Sequence, residues 1–150
     1  MKIRDAQPDD LRALSWCAYH SKAHWGYDEA FMAACVDELT IRPEHLATHV
    51  LRVAPRGSEV AGFHGVVLDG DDSELEWLFV APDAMGHGIG RALLGDACAI
   101  ARHAGVRQLR IESDPFARAF YERCGAVCVG EVASASIPGR VLPLLTLGVS

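Results

Sequence analysis

The sequence predicts a mixed α/β (α+β) fold, with six or seven strands in one sheet and about four helices. Between residues 48 and 80, three segments with strand character follow one another and are separated by the turn sequences PRGS and DGDD. Beyond residue 88, segments with helical spacing alternate with short apolar segments. Consecutive hairpins followed by alternating helices and strands are typical of a mixed sheet with helices packed on it.

The first part of the chain predicts one short strand and two helices. We place the strand at residues 1–6. A helix over residues 8–23 follows, because Pro8 and the two acidic residues after it suit the first turn of a helix. Asp28 is the predicted N-cap of a second helix, whose apolar residues recur at helical spacing as far as Leu39.

The rest of the chain predicts the three strands of the meander, followed by a helix, a strand, a helix and two more strands. A glycine at position 105 closes the first of these helices, since glycine adopts the left-handed conformation that ends many helices. The predicted ranges are 48–54, 59–68, 74–80, 88–104, 108–113, 115–124, 126–133 and 141–149.

Composition favours a single domain over residues 1–150 and a cytoplasmic location. Half of the 150 residues are apolar, which suits one core. No apolar run approaches the roughly 20 residues that cross a bilayer, so we expect no membrane partner. The five cysteines form no CxxC pair, which favours reduced thiols. A net charge of −6 without a basic run disfavours a nucleic-acid partner.

Two histidine pairs have a spacing that can suit a metal site. His20 and His24, like His45 and His49, are spaced four residues apart, which places two imidazoles on one face of a helix. No HExxH motif accompanies either pair, and the second pair straddles a predicted change from helix to strand. We therefore predict no metal site.

The stretch PDAMGHGIGRALL, residues 82–94, places Gly86, Gly88 and Gly90 where a strand gives way to a helix. Glycine loses more conformational freedom on folding than any other residue, so three glycines in five positions are costly. The cluster therefore indicates a backbone that a ligand approaches closely. Amides at a helix start lack internal partners and attract anions, which predicts a phosphate site; a tight turn with close helix packing is the alternative. Arg91 stands where a P-loop has lysine, which excludes a P-loop. A Rossmann G-x-G-x-x-G pattern that starts at Gly86 needs glycine at the same position, so this pattern is excluded as well.

A second motif is ESDPFARAFYERCGAV, whose characteristic positions are Asp114, Ala117, Phe120, Tyr121 and Gly125. Together with VAPDAMGHGIGRALL, it resembles the GNAT superfamily, the acyl-CoA-dependent N-acetyltransferases. The glycine-rich stretch matches the family's V-x-P followed by Q/R-x-x-G-x-G/A, and the second motif matches its N-x-x-A-x-x-F-Y-x-x-x-G. The resemblance implies a GNAT-like, mostly antiparallel central sheet and acetyl-CoA as co-substrate, without a metal.

The resemblance also implies where coenzyme A binds. Backbone amides from Gly86 to Arg91 would hold its pyrophosphate, and the pantetheine arm would run along the strand near Phe79 and Val80. This chain has Met85 where the family has Gln or Arg. It has Asp114 where the family has Asn, and the Asp114 carboxylate could instead cap the helix from Pro115. The polar phosphate contact that Met85 lacks is supplied by His87, Arg91 or Arg123, or these three are solvated helix residues. The full set of candidates is Phe79, Val80, Met85, Gly86, His87, Gly88, Ile89, Gly90, Arg91, Asp114, Phe120, Tyr121 and Arg123.

Two proton transfers define the catalytic candidates. A primary amine with a pKa of roughly 10 must lose a proton before it attacks a thioester. Glu76 is the first candidate base and Glu74 the second, since alternation places both on one strand face with Leu78 and Val80; a solvated strand end is the alternative. The resemblance assigns Tyr121 the role of acid that protonates the departing thiolate, and packing in the core is the alternative.

The acceptor candidates are Lys22, Trp25, Tyr27 and Arg140. The first three lie in SKAHWGYD, the region that lines the acceptor cleft in the family. We expect Trp25 and Tyr27 to form cleft walls, and a hydrophobic plug at one end of the sheet is the alternative. Arg140 ends SIPGR, which either forms a plain hairpin loop or places the guanidinium at the cleft.

These residues predict different acceptors. Lys22 and Arg140 both facing the cleft would favour an acceptor with a carboxylate, whereas Glu74 and Glu76 facing it without them would favour a cationic amine. The favoured function is acetyl transfer to a primary amine of a small molecule, and a protein or peptide amine is the alternative acceptor. A non-catalytic acyl-CoA sensor module and a structural α/β domain are the other hypotheses. Dimerisation through the late strands is possible in this family, and the sequence does not decide it.

Overall fold

The computed structural model describes residues 2–149, which build a seven-stranded mixed sheet with helices on both faces. The strands are β1 (Arg4–Asp5), β2 (Val50–Arg56), β3 (Glu59–Val67), β4 (Glu74–Val80), β5 (Gln108–Glu112), β6 (Val127–Ala133) and β7 (Val141–Gly148). The α-helices are α1 (Leu11–Ala23), α2 (Glu29–Cys35), α3 (His45–Thr48), α4 (Ile89–His103) and α5 (Arg118–Arg123), and 3-10 turns lie at Pro8–Asp10 and Pro82–Ala84. The mixed α/β fold predicted from the sequence is confirmed.

The strand order β1-β2-β3-β4-β5-β7-β6 explains where the sheet opens. All neighbouring strands are antiparallel except β4 and β5, which run parallel. These two strands pair at one register position, Glu74 with Arg110. Beyond this pair, β4 and β5 separate, and a cleft opens between their carboxyl ends.

Two apolar clusters hold the helices on the sheet. One joins α1, α2 and the 3-10 turn after β4 to Val53, Phe63 and Trp77 of the meander. The other joins α4 and α5 to the buried residues of β5 and β7, among them Leu109 and Leu145. Within residues 2–149, no helix has both the length and the apolar character needed to cross a membrane.

Several element boundaries agree with the prediction, and others differ from it. Asp28 caps α2 as expected, with its Oδ1 accepting a hydrogen bond from the Phe31 amide at 2.8 Å. The strand β2 continues into the predicted PRGS turn as far as Arg56, because a register shift at Pro55 accommodates a residue that cannot donate to the ladder. The regular helix α2 ends at Cys35 instead of extending to Leu39. The short helix α3 was not predicted.

Candidate active site

A cleft of about 940 Å³ lies where β4 and β5 separate. One wall is the end of β4, and the opposite wall is formed by the segment after β5 and by α5. The start of α4 closes one end, and residues of α1 and of the segment between α2 and α3 approach the other. The cleft therefore has a helix-start end and an opposite end, which we call the acceptor end.

The three glycines around the start of α4 serve two purposes. Gly86 and Gly88 have φ angles of 82° and 78°, in the left-handed region that favours glycine. Gly88 is the N-cap residue of α4, and no side chain caps this helix start, so its first amides are available to a ligand. A Cβ at Gly90 would lie 3.4 Å from the ring of Phe120 and 3.6 Å from Val80, which shows that Gly90 instead permits close packing.

Twelve of the thirteen predicted coenzyme A contacts line this cleft. The exception is His87, whose Nδ1 lies 3.2 Å from the carbonyl oxygen of Ala84. The residues that line it are Phe79, Val80, Met85, Gly86, Gly88, Ile89, Gly90, Arg91, Asp114, Phe120, Tyr121 and Arg123.

A β-bulge at Glu76 changes the predicted arrangement of β4. Leu75 and Trp77 pair with consecutive residues of β3, so Glu76 has no register partner there. Leu75 packs in the cluster of α4, whereas Trp77 packs in the cluster of α1, although strict alternation would place both on one face. The prediction that one face carries Glu74, Glu76, Leu78 and Val80 is therefore wrong, and these residues reach the cleft because it lies at the open edge of β4.

The two carboxylates of β4 lie in an acidic part of the cleft. Burial raises the pKa of Glu74, and the charges of Glu112 and Glu76 raise it further. Within residues 2–149, these three glutamates form no salt bridge with lysine or arginine. The side chain that contacts Glu76 is an imidazole: His49 Nε2 lies 3.2 Å from its Oε2.

Tyr121 occupies the wall of the cleft formed by α5. Its ring is almost fully buried and lies edge-on to Phe120, with ring centroids 5.2 Å apart. Burial raises the pKa of the Tyr121 phenol well above its ordinary value, and the nearby Cys124 and Asp114 act in the same direction. The phenol is therefore protonated at neutral pH.

Asp114 is the centre of a polar cluster that joins three distant parts of the chain. Its carboxylate accepts hydrogen bonds from Lys22 Nζ at 3.2 Å and from the Tyr27 hydroxyl at 2.9 Å. Arg140 Nη2 donates to the Tyr27 hydroxyl at 2.6 Å and lies 3.7 Å from the same carboxylate. The predicted capping role is present in a modified form, because the carboxylate also accepts from the Phe116 amide at 2.9 Å while the regular helix begins later, at Arg118.

The cluster engages three of the four predicted acceptor residues. Tyr27 and Arg140 do not line the cleft, since the Tyr27 hydroxyl is engaged by Asp114 and Arg140. Burial, and then the Asp114 carboxylate, raise the pKa of Tyr27 to about 12. Lys22 and Trp25 do line it, and the Trp25 ring stacks on Phe116 with centroids 5.5 Å apart.

Sequence reasoning missed two residues of the site. Glu112 ends β5 and lines the cleft beside Glu74. It is the first residue of the second motif, but the sequence pattern assigned no role to its carboxylate. His49 was considered only as half of a metal pair, and no local signal connects it with a glutamate on another strand. Across residues 2–149, no group of three or more His, Cys, Asp or Glu side chains is arranged to hold a metal ion.

The comparisons with known proteins agree with this geometry. The model of the acetyltransferase (GNAT) family matches residues 9–126. The PaiA N-acetyltransferase from Thermoplasma acidophilum, solved with coenzyme A, superposes with a TM-score of 0.81 at 18% identity, covering 98% of each chain. The ribosomal-protein-S18-alanine N-acetyltransferase from Escherichia coli has a TM-score of 0.72 at 22% identity, covering 99% of this chain and 94% of that one.

A third solved structure, an aminoglycoside 6'-N-acetyltransferase with coenzyme A, has a TM-score of 0.71 at 17% identity, covering 100% of this chain and 98% of that one. No curated protein has a significantly similar sequence. The family model covers most of the chain and includes both motifs from which the resemblance was drawn. The chain belongs to the GNAT acetyltransferase family and is an acyltransferase enzyme.

Proposed function

We propose that this enzyme transfers an acetyl group from acetyl-CoA to a primary amine of a small, positively charged molecule. The observation that carries the proposal is the distribution of charge along the cleft. Arg91, in the first turn of α4, forms no salt bridge within residues 2–149, and neither does Arg123 on the cleft wall formed by α5. The glutamates at the acceptor end have no lysine or arginine partner in the same range. An anionic co-substrate and a cationic acceptor suit these two ends.

The helix-start end is suited to the pyrophosphate of coenzyme A. The uncapped amides at the start of α4 and the positive end of the helix dipole favour an anion. Gly88 leaves this surface open, since a Cβ there would meet no atom within 4 Å. Two of the solved relatives described above contain coenzyme A, which supports the same assignment. Met85 lines the cleft without a polar group, so the backbone and the arginines would supply the contacts.

The acceptor end favours a cationic amine over an amine that carries a carboxylate. Lys22 and Arg140 are the cations that could bind a carboxylate, and both are engaged by the Asp114 cluster. Arg42, the other cation at this end, pairs with Asp37 at 2.7 Å. Glu74, Glu76 and Glu112 have no such partner, so an ammonium group would be attracted there.

The side chains at the acceptor end and on α5 suit the two proton transfers. Glu76, directly or through a water molecule, would take a proton from the ammonium group, with Glu74 as the alternative base. The raised pKa of Glu74 suits it to hold a proton near neutral pH more readily than an ordinary carboxyl group. Bound acetyl-CoA would supply the acetyl group and leave as a thiol.

Tyr121 would donate its phenolic proton toward the leaving sulfur. Because burial raises the pKa of this phenol, the proton stays on the oxygen until a negative charge develops beside it. The buried position also excludes water from that wall of the cleft. The ammonium group would lose two protons on becoming an amide, the first of them to the base. The thiolate would gain one proton from Tyr121, the phenol would recover its proton from solvent, and one proton would be released overall.

A thiol-release assay with matched acceptors tests the proposal. We expect turnover with acetyl-CoA and an aliphatic diamine, and much weaker turnover with an amino acid of similar length. Glu112→Gln should raise the KM for the diamine and leave the KM for acetyl-CoA unchanged. Preference for the amino acid or for a lysine-containing peptide would contradict the acceptor assignment. Tight acetyl-CoA binding without turnover on any amine would favour a sensor module instead.

A further inference from the structure

His49 has a buried ring nitrogen directed at the candidate base. Its side chain is 7% exposed, and Nε2 has no hydrogen-bond partner of good geometry, although Glu76 Oε2 lies 3.2 Å away. Buried polar atoms are nearly always paired, so an unpaired nitrogen beside a carboxylate requires an explanation. The Glu76 side chain is 39% exposed and can turn, which would align the pair without moving the buried ring.

The ring of His49 is held rigidly from three sides. It stacks on the Trp77 ring with centroids 4.4 Å apart and an interplanar angle of 15°. His45 packs edge-on against it at 5.2 Å. Nδ1 lies 2.7 Å from the hydroxyl oxygen of Thr48, which ends α3. The Thr48 hydroxyl has the Glu44 carbonyl oxygen at 3.4 Å as a longer alternative acceptor. When the hydroxyl donates to the nearer Nδ1, the ring proton is left on Nε2, facing Glu76.

The β-bulge explains why Glu76 needs such support. Glu76 has no register partner on β3, so the strand ladder does not fix its orientation. Trp77 is the next residue of β4, and the ring of His49 contacts both it and Glu76. The junction of α3 and β2 is thereby fastened to the bulge.

We propose that His49 is a positioning residue whose Nε2–H group holds the Glu76 carboxylate in the orientation that accepts a proton from the acceptor amine. This inference rests on the proposed function, in which Glu76 is the base. The charged and titratable groups around the imidazole are Glu76, Glu74, His45, Glu44 and Arg42. Of these, Glu76 is the one carboxylate of residues 2–149 in ion-pair contact with the ring.

Two substitutions separate the hydrogen bond from the packing. His49→Phe retains an aromatic ring on Trp77 but removes the donor, whereas His49→Gln retains a donor and removes the ring. We expect His49→Phe to lower kcat/KM for the amine about tenfold, as for loss of a hydrogen bond to a charged group, and to leave the KM for acetyl-CoA unchanged. It should also move the acidic limb of the pH profile to higher pH, and His49→Gln should restore part of both effects.

A double-mutant cycle distinguishes positioning from general damage. In a Glu76→Gln background, His49→Phe should cause little further loss, because the interaction is already absent. Equal losses in both backgrounds, or an unmoved acidic limb, would overturn the proposal. His103→Gln, on the exposed end of α4, is the control for replacing a histidine elsewhere.

A spectroscopic measurement tests the contact even if no amine is acetylated. In ¹⁵N-histidine-labelled protein, we expect the neutral His49 ring to carry its proton on Nε2, and the Nε2 resonance to shift in Glu76→Gln. A proton on Nδ1, or an Nε2 resonance insensitive to Glu76→Gln, would refute the positioning role. An inactive wild type that shows the expected resonances would instead contradict the proposed function alone.

Discussion

Replacing Asp114 with asparagine removes the negative charge at the centre of the polar cluster while keeping the side chain's shape. The side chains of Lys22, Asp114 and Arg140 are 12%, 15% and 18% exposed, so the three charges are mostly shielded from water. At an effective dielectric constant of about 20, the attraction is about 5 kcal/mol for the Lys22 pair and about 4 kcal/mol for the Arg140 pair, before desolvation is subtracted.

The net cost of the substitution is smaller than these attractions. Removing one partner of a buried ion pair destabilises proteins by about 3–5 kcal/mol. The asparagine oxygen can still accept from the Phe116 amide, as the Asp114 carboxylate does, and this reduces the loss. We therefore expect Asp114→Asn to lower the free energy of unfolding by about 2–4 kcal/mol, which corresponds to a fall in Tm of about 5–12 °C for a domain of this size.

Urea unfolding followed by tryptophan fluorescence measures this change. Asp37→Asn is the matched control, because its pair with Arg42 is on the surface, with the Asp37 side chain 89% exposed, and should contribute less than about 1 kcal/mol. Adding Lys22→Met to Asp114→Asn should recover part of the lost stability, since the uncompensated cation is removed. A stability loss for Asp114→Asn no larger than that of Asp37→Asn would refute the reasoning about this cluster.

The remaining predictions concern the acid catalyst and the pH dependence of stability. Tyr121→Phe should lower kcat about a hundredfold with little change in the KM for acetyl-CoA, measured by thiol release; an unchanged kcat would show that the phenol supplies no proton. Although burial opposes ionisation of Asp96, hydrogen bonds from His64 and Arg52 lower its pKa to about 2. A carboxyl group with a depressed pKa adds stability above its unfolded pKa and loses it as the pH falls through the folded value. The wild type should therefore lose up to about 2 kcal/mol from this group between about pH 4 and pH 2, and Asp96→Asn should lack that component in urea unfolding at the two pH values.

Local sequence signals predicted the elements and the helix-start end of the cleft well. The strand β4 has the predicted bounds, Asp28 caps α2 as expected, and the left-handed glycines stand where the motif placed them. Each of these features depends on residues close together in the chain, such as a capping side chain and an amide three positions later. The fold class followed because the alternation of strand and helix patterns is also local.

The acceptor end could not be predicted in the same way, because its contacts join distant residues. Tyr27 meets Asp114 across 87 positions and Arg140 across 113, and no spacing rule connects them. The β-bulge at Glu76 reversed the expected alternation without a glycine or proline in β4 to indicate it. For the same reason, the contact between His49 and Glu76 is visible only in three dimensions.

Calorimetric titration with acetyl-CoA tests the central claim most directly, using the wild type, Gly88→Ala and Gly88→Glu. Both variants impose the strain of a side chain at a φ of 78°, but only glutamate adds a negative charge at the proposed phosphate site, in a space where a Cβ meets nothing within 4 Å. We expect saturable binding by the wild type, weaker binding by Gly88→Ala and no binding by Gly88→Glu. Absence of binding by the wild type at millimolar acetyl-CoA, or equal binding by the two variants, would contradict a coenzyme A site at the start of α4.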